Sequence, residues 1–253
     1  MVDKISKQNL DQKILDEIVK YAKMLSMRGY VSNTLGTIAI RAQHPHRPEE
    51  SVVYTKRAEI SLEEMAQDDV AVTSIPNQYE IATRGGELLC GDIAPSVGHQ
   101  LNLEIFRYRP DISAIIHVHP EAIIAFSAAG HDKFEYISAD LPLVMGKPVY
   151  VLPQNVNVEL DVTEVKDFIE GTNAVILQSH GVTVLGRYMG TKEIGSHVSE
   201  AYNRLSTLVR DVRAFMKADI GAKLEGRKVQ VITPDEVEDM FRQADKVIYP
   251  SRV

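Results

Sequence analysis

Three of the eight histidines have the spacing expected of a metal site. His117 and His119 stand at the end of an apolar segment, SAIIHVH, and the alternation of side chains along a strand puts both on one face. His180 follows a second apolar segment, NAVILQ. Three neutral imidazoles converging from adjacent strand ends suit Zn, Fe, Mn or Co. Three protein ligands also leave a coordination position open, which is typical of catalytic sites.

The other histidines lack this context. His44 and His46 have the same spacing, but they flank Pro45 in a charged loop, which favours a surface position. His131 and His197 have no partner that the sequence identifies. The alternative for the pair in SAIIHVH is that they are ordinary polar residues at a strand end. The strand context, together with the third histidine, favours the metal site.

The elements expected to position these side chains alternate between strand and helix. Ser96 is expected to cap a helix that Pro110 closes, and Thr191 to begin a long helix with an apolar stripe. Ser61 and Glu64 form a capping box for a further short helix. The early strands follow one another without helices between them; they are expected over TIAIR (37–41), SVVYT (51–55), VAVTSI (70–75) and YEIAT (79–83). The pattern predicts one three-layer α/β domain with a partly antiparallel sheet.

Composition excludes several classes of function. The 253 residues include 28 Lys+Arg against 35 Asp+Glu, which gives a net charge of −7. Nucleic acids and anionic membranes both require clustered basic residues, so neither is expected as a partner. Cys90 is the single cysteine, so no intrachain disulfide forms. No apolar run approaches the roughly 20 residues of a membrane span, and the polar start MVDKISKQNL does not read as a signal peptide. A cytoplasmic location is therefore expected.

Four segments together resemble the class II aldolase/adducin family: HVHP (117–120), SHGVTVLG (179–186), GTIAIR (36–41) and the helix from Ser96 to Asp111. That family includes fuculose-phosphate and rhamnulose-phosphate aldolases, ribulose-phosphate epimerase and several decarboxylases. The resemblance runs in the same order from about Ile14 to Tyr249.

The resemblance implies a single domain over residues 1–253 with a three-layer α/β/α sandwich around a mostly antiparallel central sheet. It also implies a homotetramer with active sites between subunits. The metal ligands that match are His117, His119 and His180, and zinc is the expected cation, with Mn, Fe and Co as alternatives.

The sequence departs from the family at its acid/base residue. Family aldolases carry Ser-Ser-Glu before the helix, where this chain has Ser96-Val97-Gly98-His99. The family glutamate falls on Gly98, or on His99 if the register slips by one. His99 is therefore predicted as a catalytic base or a fourth nitrogen ligand, because its ordinary pKa is close to neutral. The alternatives are a first-turn residue that faces solvent, or a carboxylate restored by Asp92, Glu104 or a neighbouring subunit.

The expected substrate cradle departs from the family as well. Thr37, Thr55 and Ser96 remain as hydroxyl donors, and Thr55-Lys56-Arg57-Ala58 replaces the family's Thr-Pro-Ser-Gly. Arg57, or Lys56, adds a charge that suits a carboxylate at least as well as a sugar phosphate. The alternative is that both basic residues belong to a solvated turn.

Two tyrosines match family positions that lie near the active site. Tyr136 matches a tyrosine that reaches a neighbouring subunit's site, and it is predicted to be catalytic. Tyr249 matches one near the carboxyl terminus. The alternative for both is a half-buried structural role.

These features predict a metal-dependent carbon–carbon lyase that acts on a small hydroxy-carbonyl or hydroxy-carboxylate substrate through an enolate. Aldol cleavage needs a base for a hydroxyl group, whereas decarboxylation needs mainly an acid that protonates carbon. Loss of the family glutamate therefore favours a decarboxylase, or an aldolase that uses His99. The alternatives are a non-haem iron oxygenase and a non-enzymatic adducin-like interaction domain.

Overall fold

The computed structural model describes residues 4–76, 86–96, 98–153, 165–191 and 195–247. Within these residues, the strands form one sheet in the order β4-β3-β2-β1-β5-β9-β8-β7-β6. The strands are β1 (Thr37–Gln43), β2 (Ser51–Lys56), β3 (Val70–Ser74), β4 (Leu88–Cys90), β5 (Ala114–Val118), β6 (Lys133–Phe134), β7 (Val149–Leu152), β8 (Ala174–Leu177) and β9 (Gly181–Gly186). The expected strand over residues 79–83 lies outside the described residues, as do Val97 and Tyr249.

The helices lie between and after these strands. They are α1 (Gln12–Met27), α2 (His99–Tyr108), α3 (Glu121–Ala128), α4 (Asp140–Met145), α5 (Val165–Ile169), α6 (Ser199–Leu224) and α7 (Pro234–Val247). No helix of the described ranges combines the length and the apolar composition that crossing a bilayer would require.

The sheet is covered by apolar residues on both faces. In β1, Ile38 and Ile40 belong to a buried cluster that includes side chains of α1, α3 and α6, whereas Ala39 belongs to a second cluster with side chains of α2 and α5. This alternation is what a strand buried on both faces requires. Only β7 and β8 pair in parallel among the described neighbours, so the prediction of a mostly antiparallel central sheet between helices is confirmed.

Three expected helices differ from the structure. The helix expected to be capped by Ser96 begins at His99, with Gly98 as its N-cap residue and no side-chain cap. The long helix begins at Ser199 rather than Thr191, because Ser196 and Met189 still exchange two backbone hydrogen bonds. The carboxylate of Glu17 then accepts the backbone N–H groups of His197 and Val198 just before the helix begins. His197 therefore precedes the helix.

The third difference lies in the segment after β2. Ser61 does cap this segment, because its hydroxyl accepts the backbone N–H of Glu64 and donates to the Glu64 carboxylate. The segment continues as turns and a short 3₁₀ helix, Gln67–Asp69, instead of an α-helix. The capping residues are present, but no apolar face extends far enough along this segment to hold a longer helix in place.

The register of three central strands places the polar side chains of interest together. β1, β5 and β9 are neighbours, and His117 of β5 lies opposite Thr37 on one side and opposite Thr183 on the other. Residues directly opposite in an antiparallel pair project on the same face of the sheet. Because Ala39 and Leu185 on these two flanking strands pack in the cluster under α2, His117 faces the α2 side.

Candidate metal centre

The three predicted histidines meet at the end of β5. Nε2 of His117 lies 3.0 Å from Nε2 of His119 and 3.3 Å from Nε2 of His180. One ring nitrogen from each residue lies within 4.8 Å of the others. His117 is buried, His119 is half-buried and His180 is exposed, so the cluster opens toward solvent on one side.

The distances fit a tetrahedral cation. Nitrogen ligands about 2.0–2.1 Å from a tetrahedral zinc ion are separated from each other by roughly 3.3 Å. The two Nε2 separations from His117, 3.0 and 3.3 Å, are close to that value. The cluster could therefore hold a divalent cation with a position left over for a further ligand.

Burial keeps these imidazoles in the form that binds metal. Desolvation lowers the pKa of His117 well below its ordinary value, and the neighbouring His119 and His180 lower it further. Desolvation, with a smaller contribution from His180, lowers the pKa of His119 to about 4. Both rings are therefore neutral near pH 7, with a lone pair free for a cation.

Thr183 determines the orientation of the most buried ring. Its Oγ1 lies 2.9 Å from Nδ1 of His117, and Thr183 is fully buried. When Nε2 binds a cation, the proton of a neutral imidazole is on Nδ1, so Nδ1–H donates to the threonine hydroxyl. A strand partner thus holds the ring in the orientation in which Nε2 faces the other two rings.

Gly181 permits the close approach of β5 and the β8–β9 turn. A Cβ at this position would lie 2.4 Å from the carbonyl oxygen of Val118 and 2.5 Å from Cδ2 of His119. The turn before it contains Ser179 at φ 56°, and the backbone N–H of Ser179 donates to the hydroxyl of Ser127. His180 reaches the cluster because this turn is held tightly against β5.

A cavity of about 210 Å³ opens directly onto the triad. Its walls come from the loop before β1, the start of α2 and the histidines; the lining residues are Thr34, Leu35, Gly36, Thr37, Ser96, Gly98, Leu101, His117, His119 and His180. None of these described lining residues is acidic. The structure thus brings together five of the predicted site residues, namely Thr37, Ser96 and the three histidines.

Gly98 is one of the two positions, with His99, on which the resemblance places the family glutamate. It lines the cavity, and a Cβ built on it would have no neighbouring atom within 4 Å. Asp92 and Glu104, considered as replacements, are not among the lining residues. Glu104 is buried and pairs with Arg107 at 2.6 Å. In the described part of this chain the open space at Gly98 is therefore not filled by a carboxylate.

His99 is not one of the residues that line the cavity. Its Nε2 is 2.9 Å from Oγ1 of Thr73 on β3, and the side chain is 1% exposed. Desolvation lowers the pKa of His99 to about 3. The ring is thus neutral and buried, and a direct catalytic role for it stays a prediction that this placement does not favour. The alternative of a first-turn residue that faces solvent is wrong, because the side chain is buried.

The other predicted residues lie behind the cavity or away from it. Thr55 is buried, and its hydroxyl lies 3.2 Å from that of Thr37 and donates to the carbonyl of Ile38. Arg57 pairs with Asp69 at 2.8 Å, so its charge is used locally. Tyr136 is buried and donates to the carbonyl oxygen of Gly146, and burial raises its pKa. The role predicted for Tyr136 at a neighbouring subunit's site stays a prediction.

Sequence reasoning missed Thr183 and the segment Thr34–Leu35. The signal for Thr183 was a polar residue inside the apolar segment VTVLG, and only the register with β5 gives it meaning. The segment before β1 carried no motif beyond its glycine. Gly36 has φ 83°, which glycine adopts without strain, and this bend brings the segment against the triad.

Comparison with known proteins agrees with this geometry. The family model described as "Class II Aldolase and Adducin N-terminal domain" matches residues 16–215. The chain is 24% identical over 202 residues to the L-fuculose phosphate aldolase of Methanococcus maripaludis, covering 79% of this chain and 99% of the relative. It is 26% identical over 182 residues to the 3,4-dihydroxyphthalate decarboxylase of Arthrobacter keyseri, covering 66% and 67%.

A solved L-fuculose 1-phosphate aldolase has the same fold, with a TM-score of 0.72 at 20% identity, covering 92% of this chain and 97% of that one. These relatives support an enzyme of aldolase or lyase type that acts on a small molecule with the help of a divalent cation. On the match over residues 16–215, the chain belongs to the class II aldolase and adducin family.

Proposed function

We propose that this protein is a zinc-dependent decarboxylase of a small hydroxy- or oxo-carboxylate. The observation that carries the proposal is Gly98. The histidine cluster opens onto a cavity in which a glycine stands at one of the two positions where the resemblance places the acid/base glutamate. The cavity retains a site for a cation and for substrate, and the described lining residues supply no carboxylate base.

The two reactions that use such a site differ in their need for that base. Retro-aldol cleavage must remove a proton from a hydroxyl group before the carbon–carbon bond breaks. In decarboxylation the bond to the carboxylate breaks, carbon dioxide leaves, and the electron pair moves toward the neighbouring oxygen. The carbon then takes a proton, which water can supply. A cavity without a basic side chain is therefore better suited to decarboxylation.

A divalent cation held by the three histidines would supply Lewis-acid stabilisation of negative charge developing on a substrate oxygen. Residues of the chain would orient the metal ligands and bind the substrate. His117, oriented by Thr183, presents Nε2 toward the cavity. Thr37 and Ser96 line the cavity and would offer their hydroxyl groups to substrate oxygens, that of Thr37 by exchanging its contact with Thr55. Leu101, which is buried, and Leu35, which is exposed, add apolar surface to the cavity wall.

The relatives support a lyase without distinguishing the two reactions, because the aldolase and the decarboxylase are similarly distant, at 24% and 26% identity.

Assembly as a homotetramer, with a neighbouring subunit closing the open side of the cavity, is part of the same proposal. Sedimentation velocity on the purified protein tests the assembly.

The activity test uses purified protein loaded separately with zinc, manganese or ferrous iron. We expect carbon dioxide release from at least one member of a panel of ortho-hydroxybenzoates and β-oxo acids, and little aldehyde release from sugar 1-phosphates. His119→Ala should abolish both activity and stoichiometric metal, whereas the loop variant His46→Ala should retain both. Aldehyde release alone, or oxygen consumption by the iron-loaded protein, would replace the decarboxylase with an aldolase or an oxygenase.

A further inference from the structure

Lys56 is a buried cation behind the candidate active site. It is the last residue of β2, and its side chain is among the largest fully buried ones, at 1% exposure. Nζ donates to the carbonyl oxygens of Thr34 at 2.7 Å and Ile60 at 2.6 Å. Both acceptors are neutral, and no ion pair joins Lys56 to a carboxylate of the described residues.

The acidic groups near Lys56 do not neutralise it. Asp69 pairs with the adjacent Arg57 at 2.8 Å. Glu59 is exposed, and Glu64 bonds to the hydroxyl of Ser61. Burial lowers the pKa of Lys56 to about 8, with a smaller effect from the charge of Arg57, so the group is still mainly protonated at pH 7. A buried charge of this kind is costly unless an opposite charge compensates it.

The ammonium group lies directly behind one wall of the cavity. Thr34, whose carbonyl it binds, lines the cavity, and the next three residues, 35–37, complete that wall. The neighbouring Thr55 reaches the same wall through its contact with Thr37. With a cation on the triad, the cavity would have positive charge at two sides, and its described lining contains no acidic residue.

We infer that Lys56 is a positioning residue that makes the cavity select substrates with a second anionic group beside the one at the metal, and that the substrate is a dicarboxylate. This inference rests on the proposed function and names its substrate class. Lys56 acts through the Thr34 carbonyl, which it holds in place, and through its field, because water screens a buried charge less than an exposed one.

The test measures binding rather than turnover, with zinc-loaded protein and two probes of equal shape. Phthalate carries two carboxylates, whereas 2-carbamoylbenzoate replaces one of them with a neutral amide. By titration calorimetry, we expect the unmodified protein to bind phthalate at least tenfold more tightly. Lys56→Met should remove most of this preference while leaving zinc content and the affinity for 2-carbamoylbenzoate nearly unchanged. Lys56→Arg should retain the preference, and Lys23→Met, at an exposed lysine of α1, should have no effect.

Two results would overturn the inference: no preference for phthalate in the unmodified protein, or an undiminished preference in Lys56→Met. The first result is measured on the unmodified protein, so the inference can be refuted even if Lys56→Met folds poorly. Failure of the carbon dioxide assay with intact phthalate selectivity would refute the decarboxylase alone. Carbon dioxide release without phthalate selectivity would refute the dicarboxylate inference and leave the decarboxylase standing.

Discussion

Thr183 on β9 faces His117 on β5 across a direct antiparallel pairing, and Oγ1 of the threonine lies 2.9 Å from Nδ1 of the histidine. The contact joins the two strands that carry the three histidines. It also holds the ring so that Nε2 of His117 faces His119 and His180. The orientation of the deepest ring is thus determined by strand register and does not depend on a loop.

Thr183→Val tests this relationship, since valine has nearly the same shape but no hydroxyl. We expect zinc affinity to fall by about 10–100-fold, the usual effect of removing a hydrogen-bond partner from a metal-binding histidine. Competition with a chromophoric chelator measures the affinity. Thr172→Val removes a hydroxyl of similar burial that bonds to the carbonyl of Ala174, and it should leave zinc affinity unchanged. Equal affinities in the two variants would contradict the assigned role.

Gly98→Glu tests whether the missing carboxylate selects the reaction. The position has φ −63° and ψ −5°, and an added Cβ has no atom within 4 Å, so the side chain should fit with little change in stability, within about 0.5 kcal/mol. We expect carbon dioxide release to fall at least tenfold, because a glutamate in this cavity repels an anionic substrate.

Gly98→Gln is the matched control, since it adds the same volume without the charge. Activity is measured by carbon dioxide release and folding by urea titration. If the glutamine variant loses as much activity as the glutamate variant, volume rather than charge explains the effect, and the argument from Gly98 fails.

Gly181→Ala should disturb the metal centre without removing a ligand. A methyl group would lie 2.4 Å from the carbonyl oxygen of Val118 and 2.5 Å from Cδ2 of His119, so the ring and the turn must move apart. We expect at least tenfold weaker zinc binding and a loss of roughly 1–3 kcal/mol in the free energy of unfolding. In Gly221→Ala, within α6, an added Cβ has no atom within 4 Å, and the change should stabilise the protein slightly. Unchanged zinc binding in Gly181→Ala would show that the close packing is not required.

His99 should make the stability of the protein sensitive to acid. Burial lowers its pKa from the ordinary 6.5 to about 3 in the folded chain. The unfolded chain therefore takes up a proton as the pH falls below 6.5 while the folded chain does not, and stability is lost over that range. At pH 5 the loss is about 2 kcal/mol, from roughly 1.4 kcal/mol for each pH unit below 6.5.

His99→Gln should remove this part of the pH dependence. Urea titrations of zinc-free protein at pH 8 and pH 5 give the comparison, because the contributions of the other histidines cancel between variant and parent. The parent should lose about 2 kcal/mol more than the variant between the two pH values. Parallel losses would mean that His99 titrates normally in the folded state.

The histidine cluster was predictable because most of its signal is local. Alternation along β5 puts His117 and His119 on one face whatever the rest of the fold does. Adding His180 depended on its similar position just after an apolar segment, and the pairing of β9 with β5 is what makes the two strand ends neighbours. The contribution of Thr183 depended on the exact register of that pairing, which apolar periodicity alone does not determine.

The acid/base and charge assignments were less predictable, because they depend on orientation. Sequence places His99 in the first turn of α2, but packing decides whether that turn presents His99 or Gly98 to the cavity. The same holds at the end of β2. Lys56 and Arg57 are adjacent, so the sequence offers either one as the positive charge of the substrate site. In the structure Arg57 forms an ion pair with Asp69, whereas Lys56 is buried behind the cavity.

The two strands that carry the histidines lie side by side in the sheet, although His117 and His180 are 63 residues apart in the chain. An ion bound at the adjoining ends of both strands would stabilise their pairing, since it is held only while that pairing is intact. At a thousandfold excess over its dissociation constant, such an ion adds about 4 kcal/mol of stability. Ile116 and Val184 pair next to this site. Their amide protons should then exchange with solvent among the slowest in the metal-loaded protein, and faster after the metal is removed with a chelator.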